Sequence, residues 1–285
     1  MELAGKAAVV TGGAAGIGLA LATALVEKGC SVMIADVEAD EAEKAAASLR
    51  EKGGTVEAAA CDVRDYDAVM ALADAAWSSF GRVDLVFANA GVMSGSSVID
   101  YRPEHMDWII DVNIKGVWNT VSIFGRRFRD AGQEAAICMT ASEHAIGVPH
   151  LGGGIYTATK HAVLGMADVM RQELPENITV SLVFPGITQS KLYDSERNSP
   201  TGPTAEKAKE IGARVMAKGM DALVLARRTV EGVANGDFMI MTHPHIVGYA
   251  EKRWREISAA IAAVPPFDDP EQYDVARVQK EVLGG

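Results

Sequence analysis

The apolar residues of this chain concentrate in seven short runs, separated by longer stretches in which they recur every three or four positions. The runs cover residues 7–10, 32–35, 56–60, 85–88, 137–139, 178–184 and 238–241. A run without polar alternation is a strand buried on both faces, which is how parallel sheets read. The intervening stretches, such as 17–28 and 38–52, carry a helical period. Strands alternating with helices predict an α/β domain whose parallel sheet is covered by helices on both sides.

Two stretches break the alternation. Residues 189–219 contain Pro200, Gly202 and Pro203, followed by a polar helical run from Thr204. They lie between the sixth strand and the helix leading to the seventh, where a lid over a substrate site is expected. Residues 245–285 form a tail with a helix-like run over 247–263 and then Pro265-Pro266. The expected division is therefore one domain over 1–244, with the lid inside it, and a C-terminal helical tail that either closes the pocket or packs on a second subunit.

Charge narrows the partners. With 27 Lys and Arg against 38 Asp and Glu, the net charge of −11 argues against nucleic-acid binding, which needs clustered positive charge. Cys30, Cys61 and Cys138 lack metal-ligand spacing and sit at or near apolar runs, so buried free thiols in a reducing compartment are expected. The chain shows neither a signal peptide nor a membrane-spanning run, and a cytoplasmic location is the expectation. His243-Pro244-His245 is not read as a metal site, because proline splits the pair and no nearby Cys or acid completes a set.

The first chemical motif is the turn Thr11-Gly12-Gly13-Ala14-Ala15-Gly16-Ile17-Gly18 between the first strand and the first helix. Glycines there allow a tight turn and let a pyrophosphate approach the peptide N–H groups at a helix N-terminus. The fold class implied is a Rossmann-type doubly wound sheet. Asp36 ends the second strand, eighteen residues after Gly18, where an acid accepts hydrogen bonds from an adenosine ribose. A carboxylate there repels a 2′-phosphate. Ala14, Ala15 and Val37 beside it offer no compensating cation, so NAD is expected over NADP.

The second motif is Tyr156-Thr157-Ala158-Thr159-Lys160. On a helix the phenol and the ammonium share one face. A free phenol has a pKa of about 10 and is a poor base, and a nearby cation is expected to lower it. Tyr156 then takes an alcohol proton while hydride leaves the carbinol carbon.

With these motifs the chain resembles the short-chain dehydrogenase/reductase family over roughly residues 5–243. The landmarks occur in the family's order: the Thr11 to Gly18 turn, Asp62-Val63, Asn89-Ala90-Gly91, Asn113, Ser142, Tyr156 with Lys160, and Pro185-Gly186. The resemblance implies a catalytic set of Asn113, Ser142, Tyr156 and Lys160. Ser142 would hold the substrate oxygen, Lys160 the nicotinamide ribose, and Asn113 a water relay to the lysine. It implies cofactor contacts from Gly12, Ala15, Gly16, Ile17, Gly18, Asp36, Val37, Asp62, Val63, Asn89, Ala90, Gly91, Pro185, Gly186, Ile187, Thr188 and Ser190, besides Tyr156 and Lys160. Ser190 stands where the family usually has a threonine for the carboxamide, and Thr188 is the alternative donor. Thr140-Ala141-Ser142 replaces the more usual paired serines, and fourteen positions separate Ser142 from Tyr156.

The substrate pocket is expected from Val92, Met93, Glu143, His144, His150, Leu151, Ile187, Tyr193, Met216 and Met220. They are mostly apolar, and a bulky apolar or aromatic alcohol or ketone fits them better than a sugar phosphate. The 238–245 stretch and the helical tail resemble a family subset that includes enzymes oxidising benzylic alcohols of lignin-derived aryl ethers. The helices near 105–129 and 156–173 carry apolar residues on more than one face, which with the resemblance implies a homodimer or homotetramer. Two alternatives remain open: an NADPH-dependent ketoacyl-type reductase, and a catalytically silent NAD-binding sensor or scaffold.

Overall fold

The computed structural model describes residues 1–147, 150–200, 202 and 206–283. In chain order the elements are β1 (Ala7–Thr11), α1 (Gly16–Glu27), β2 (Ser31–Asp36), α2 (Ala39–Glu51), β3 (Val56–Ala60), α3 (Tyr66–Phe80), β4 (Leu85–Ala88), α4 (Pro103–Ile110), α5 (Val117–Ala131), β5 (Ala135–Thr140), α6 (Gly154–Glu173), β6 (Ile178–Phe184), α7 (Glu206–Met216), α8 (Ala222–Asn235), β7 (Met239–Met241), α9 (Ile246–Ala262) and α10 (Val275–Leu283). A π-helical turn, Asp111–Gly116, joins α4 to α5, and short 3-10 helices lie at Glu143–Ile146 and Leu192–Asn198.

The seven strands form one sheet in the order β3-β2-β1-β4-β5-β6-β7, with every neighbouring pair parallel. The apolar runs explain why both faces are covered. Along β1, Val9 joins the layer formed with α3, α5 and α6, while Ala8 and Val10 join the layer with α1, α2 and α8. Val86 and Ile137 repeat the first direction, and Leu85, Phe87 and Cys138 the second. This is the two-residue period of a strand with no solvent face. Trp77, Phe124 and Phe128 cluster beneath the first layer, with Trp77 stacked on Phe124 at 5.8 Å between ring centroids. Burying a Phe of this kind contributes about 1.5–3 kcal/mol.

Local signals set the helix ends. The Asp65 carboxylate accepts hydrogen bonds from the N–H groups of Asp67 and Ala68 and so caps α3, and Asp221 does the same for α8 through Leu223 and Val224. Such a cap is worth about 1 kcal/mol. Asp84 is fully buried, where Lys6 and Arg82 neutralise it and the Ala7 N–H donates to it at 2.9 Å. All three cysteines are buried free thiols, and burial pushes Cys30 up to about 11 and Cys61 and Cys138 up to about 12.

The seven apolar runs match the seven strands to within two residues at each end. Two other regions differ from the sequence reading. The sequence predicts a polar helical run from Thr204; Pro203 and Thr204 lie outside the described residues, and α7 starts at Glu206. Helix α10 was not anticipated. It follows Pro265-Pro266 and buries none of its residues, although Val275, Val278 and Val282 recur at helical spacing. No helix among the described residues is long and apolar enough to cross a membrane.

Candidate functional site

In the strand order 3-2-1-4, the connections leaving β1 and β4 turn to opposite faces of the sheet, which opens a crevice at their carboxyl ends. A cleft of about 530 Å³ occupies this position. Its lining includes every expected cofactor residue, from Gly12, Ala15, Gly16, Ile17 and Gly18 through Asp36, Val37, Asp62, Val63, Asn89, Ala90 and Gly91 to Pro185, Gly186, Ile187, Thr188 and Ser190. Ser142, Tyr156, Lys160, Met93, His144 and His150 line it too.

The glycine turn is shaped by contacts that a side chain would destroy. Gly16 opens α1 at φ 54°, and a Cβ there would lie 2.9 Å from the Ser190 Cβ. At Gly18 a Cβ would sit 1.9 Å from the Gly12 carbonyl oxygen. The turn is braced from the next strand: Asn89 donates its amide to the Thr11 and Gly12 carbonyls, and Thr140 donates to the Asn89 side-chain oxygen. Asn89 thus locks the ends of β1, β4 and β5 together. The bare backbone along this groove is a cradle that suits an extended dinucleotide.

At the β2 end, the Asp36 carboxylate accepts from the N–H groups of Ala14 and Glu38, both at 3.1 Å. Arg64 grips Asp62 through both carboxylate oxygens and holds its pKa below the usual range. Here the structure corrects the expectation that no cation stands near Asp36. The segment after β6 brings Lys191 and Arg197 onto the cleft wall, and Arg197 pairs with Glu38. Glu38 and Arg197 are 159 positions apart, so no local pattern could have announced the pair.

The reacting end is built on α6 and the turn after β5. Tyr156 and Lys160 are one helical turn apart, both buried, with the Lys160 Nζ 5.5 Å from the Tyr156 ring centroid. Lys160 donates to the Thr140 carbonyl at 2.8 Å. Ser142 caps the 3-10 turn after β5, accepts from the His144 N–H, and lies close enough to the Tyr156 hydroxyl to act on its ionisation. The His144 ring meets Tyr156 edge-on at 5.4 Å and stacks on His150 at 4.9 Å.

Electrostatics correct a second expectation. The chain's own groups do not lower the phenol's pKa. Burial pushes Tyr156 up to about 12, the Ser142 hydrogen bond opposes this, and the Glu143 charge adds to it. Burial also brings Lys160 down to about 8 and His144 down to about 4, the latter helped by His150 and Lys160. Desolvation is the first cause of all three shifts.

Some expected residues stand elsewhere. Asn113 lies in the π-helical turn, fully buried and outside the cleft lining; its amide oxygen accepts from the Val92 N–H, and its amide nitrogen donates to the Val92 carbonyl and to Thr159. Tyr193, Leu151 and Met220 do not line the cleft. Tyr193 turns into a shallow neighbouring depression with Gln189 and Ala213, packed against Gly212, because the 3-10 turn over 192–198 points it towards α7. Leu151 is almost wholly exposed, and the Met220 backbone is tied to Ile187 and Gln189. Conversely, the start of the tail reaches the cleft: His245 and Tyr249 line it, and α9 packs on the turn at Glu143–Ile146 so closely that a Cβ on Gly147 would lie 3.1 Å from the Tyr249 carbonyl oxygen. His243 is engaged in the loop after β6, accepting from the Gly186 N–H at 3.1 Å.

Comparison with known proteins agrees with this geometry. The profile of the short chain dehydrogenase family matches residues 6–201. The chain belongs to that family of oxidoreductases. It is 29% identical over 281 residues to a C alpha-dehydrogenase of Sphingobium sp., covering 93% of this chain and 89% of that protein. Among solved structures, a short chain dehydrogenase/reductase from Burkholderia phymatum in complex with NAD superposes with a TM-score of 0.86 at 30% identity, covering 94% of this chain and 100% of that one. The apo form of LigO from Sphingobium sp. gives 0.80 at 31% identity, covering 99% and 98%.

Proposed function

We propose that this short chain dehydrogenase transfers hydride between NAD and a secondary alcohol or ketone with a bulky apolar or aromatic substituent. The observation that carries the reading is the buried Ser142, Tyr156 and Lys160 group, which faces one cleft together with the glycine turn and Asp36. Bound oxidised nicotinamide supplies the hydride acceptor. Tyr156 accepts the alcohol proton as hydride leaves the carbinol carbon, and returns it in the reverse direction. Ser142 holds the substrate oxygen and steadies its developing charge. With the protein alone, Lys160 included, holding the phenol near 12, the further positive charge that favours its ionisation would come from the bound oxidised cofactor. Asn113 positions this group by tying the Val92 backbone to Thr159, one residue before the lysine.

Support for NAD comes from three carboxylates, Asp36, Glu38 and Asp62, along one end of the cleft. Of the cations there, Arg64 is claimed by Asp62 and Arg197 by Glu38, while Lys191 lies in the field of Glu38 and Glu41. The Burkholderia relative, solved with NAD, and the Sphingobium C alpha-dehydrogenase point the same way for cofactor and substrate class. Exposed Trp118 and Val169, on α5 and α6, and Trp254 and Ile261 on α9 support a homo-oligomer, which gel filtration tests.

The test is kcat/KM for aryl and alkyl secondary alcohols with NAD and with NADP in parallel. Aryl carbinol turnover with NAD at least about tenfold better than with NADP is expected from the like-charge repulsion at Asp36. A preference for NADP would overturn the cofactor assignment, and NAD binding without turnover of any alcohol would favour the sensor reading.

A further inference from the structure

Glu143 follows Ser142 directly and is 6% exposed, yet it belongs to the cleft wall rather than to the core. Among the described residues its Oε2 has no hydrogen-bond partner. His245 comes close, with Nε2 at 2.8 Å, but it is misaligned for a hydrogen bond and makes only a charge contact from a half-exposed ring. A buried carboxylate oxygen left without a donor costs about 1–3 kcal/mol or more. The surrounding backbone nevertheless makes room for it. A Cβ at position 186 would lie 2.6 Å from Oε2 and 2.8 Å from the His243 ring, so Gly186 leaves the room these side chains occupy, and the Glu143 N–H is anchored to the Pro185 carbonyl. The carboxylate is also near enough to Tyr156 for its charge to act on the phenol.

We propose that Glu143 is a specificity-determining residue that accepts a hydrogen bond from a second hydroxyl of the substrate, carried next to the reacting carbinol. The inference rests on the alcohol-oxidising reading above and deepens it: the substrate is an aryl diol rather than a simple aryl carbinol. A neutral donor fits better than an ammonium group, because the Lys160 ammonium already brings positive charge to this end of the cleft. The chemistry at the reacting carbon is unchanged: hydride goes to the cofactor, the proton goes to Tyr156, and the second hydroxyl stays intact. A site built to bind a hydroxyl discriminates against the analogue lacking it, because its own polar group is then left unpaired.

The experiment compares kcat/KM for 1-phenyl-1,2-ethanediol, 1-phenylethanol and 2-amino-1-phenylethanol in the wild type and in Glu143→Ala, Glu143→Gln and His245→Ala. The wild type should prefer the diol over 1-phenylethanol by about tenfold to a hundredfold. Glu143→Ala should bring that ratio to within about twofold of unity. Glu143→Gln, whose amide oxygen still accepts, should keep part of it, and His245→Ala should leave it in place. A ratio near one in the wild type overturns the inference, and needs no variant to fold. So does a ratio unchanged in Glu143→Ala, or equal loss in His245→Ala, which would make Glu143 only an anchor for the tail. A preference for the amino alcohol over the diol overturns the hydroxyl assignment. If the wild type binds cofactor yet turns over none of the three, the alcohol-oxidising reading fails first, and the inference with it.

Discussion

The two ends of the cleft are built by different means. The glycine-turn end is made of backbone: a tight turn, a helix N-terminus, and glycines whose neighbours leave no room for a Cβ. The substrate end is made of side chains from segments far apart in the chain: Met93, Ser142 to His144, His150, Ile187, Met216, His245 and Tyr249. Backbone recognition needs particular residues at fixed spacings and tolerates little change. Side-chain recognition depends on which loops fold over the sheet, and those loops can vary without disturbing the frame.

Perturbing each end should separate these roles. The largest effect is expected from Tyr156→Phe, which removes the proton acceptor and leaves the frame intact. Turnover should fall by about a thousandfold or more while cofactor binding, followed by nicotinamide fluorescence, stays within a few-fold of wild type. Wild-type turnover in this variant would remove Tyr156 from the mechanism. Next is Gly18→Ala at the backbone end. With 1.9 Å to the Gly12 carbonyl oxygen the turn must open, at a cost of about 3 kcal/mol, seen as a lower Tm together with weaker cofactor binding. A variant with unchanged Tm and affinity would mean the turn is softer than its contacts suggest.

A smaller effect tests the electrostatics of the reacting end. Burial brings Lys160 from 10.5 down to about 8, so the folded chain disfavours the charged form. That penalty is fully present below pH 8 and is relieved as pH rises from about 8 to 10.5, because over that range the unfolded chain holds the extra proton. Lys160→Met removes the penalty and loses the bond to the Thr140 carbonyl, a net gain of roughly 2 kcal/mol at pH 7. The variant should therefore melt higher than wild type at neutral pH, with the gap closing as pH approaches 10.5. Tyr156, pushed up to about 12, titrates in both proteins and cancels in the difference. A gap that widens with pH would contradict the buried ammonium. The smallest effect is expected from Arg197→Ala. Its pair with Glu38 is partly exposed and worth less than about 1 kcal/mol, so KM for the cofactor should move by only two- to threefold. A larger change would show that the clasp carries cofactor affinity.

Much of this protein was legible in its residue order. Seven apolar runs announced seven parallel strands, since a strand buried on both faces has to be apolar at consecutive positions. The turn from Thr11 to Gly18, Asp36, and Tyr156 with Lys160 marked residues that the fold brings to one cleft, because a glycine turn and a phenol beside an ammonium are local arrangements with fixed spacings. Residue order was silent where partners are distant. Arg197 reaches Glu38 across the cleft, Gly186 leaves room for the Glu143 carboxylate, and His245 swings in with α9; these contacts exist only once the sheet has brought the ends of β2, β5, β6 and β7 together. The direction of the Tyr156 shift belongs to the same group. Spacing placed a cation nearby, but burial, a property of the packed whole, sets the sign.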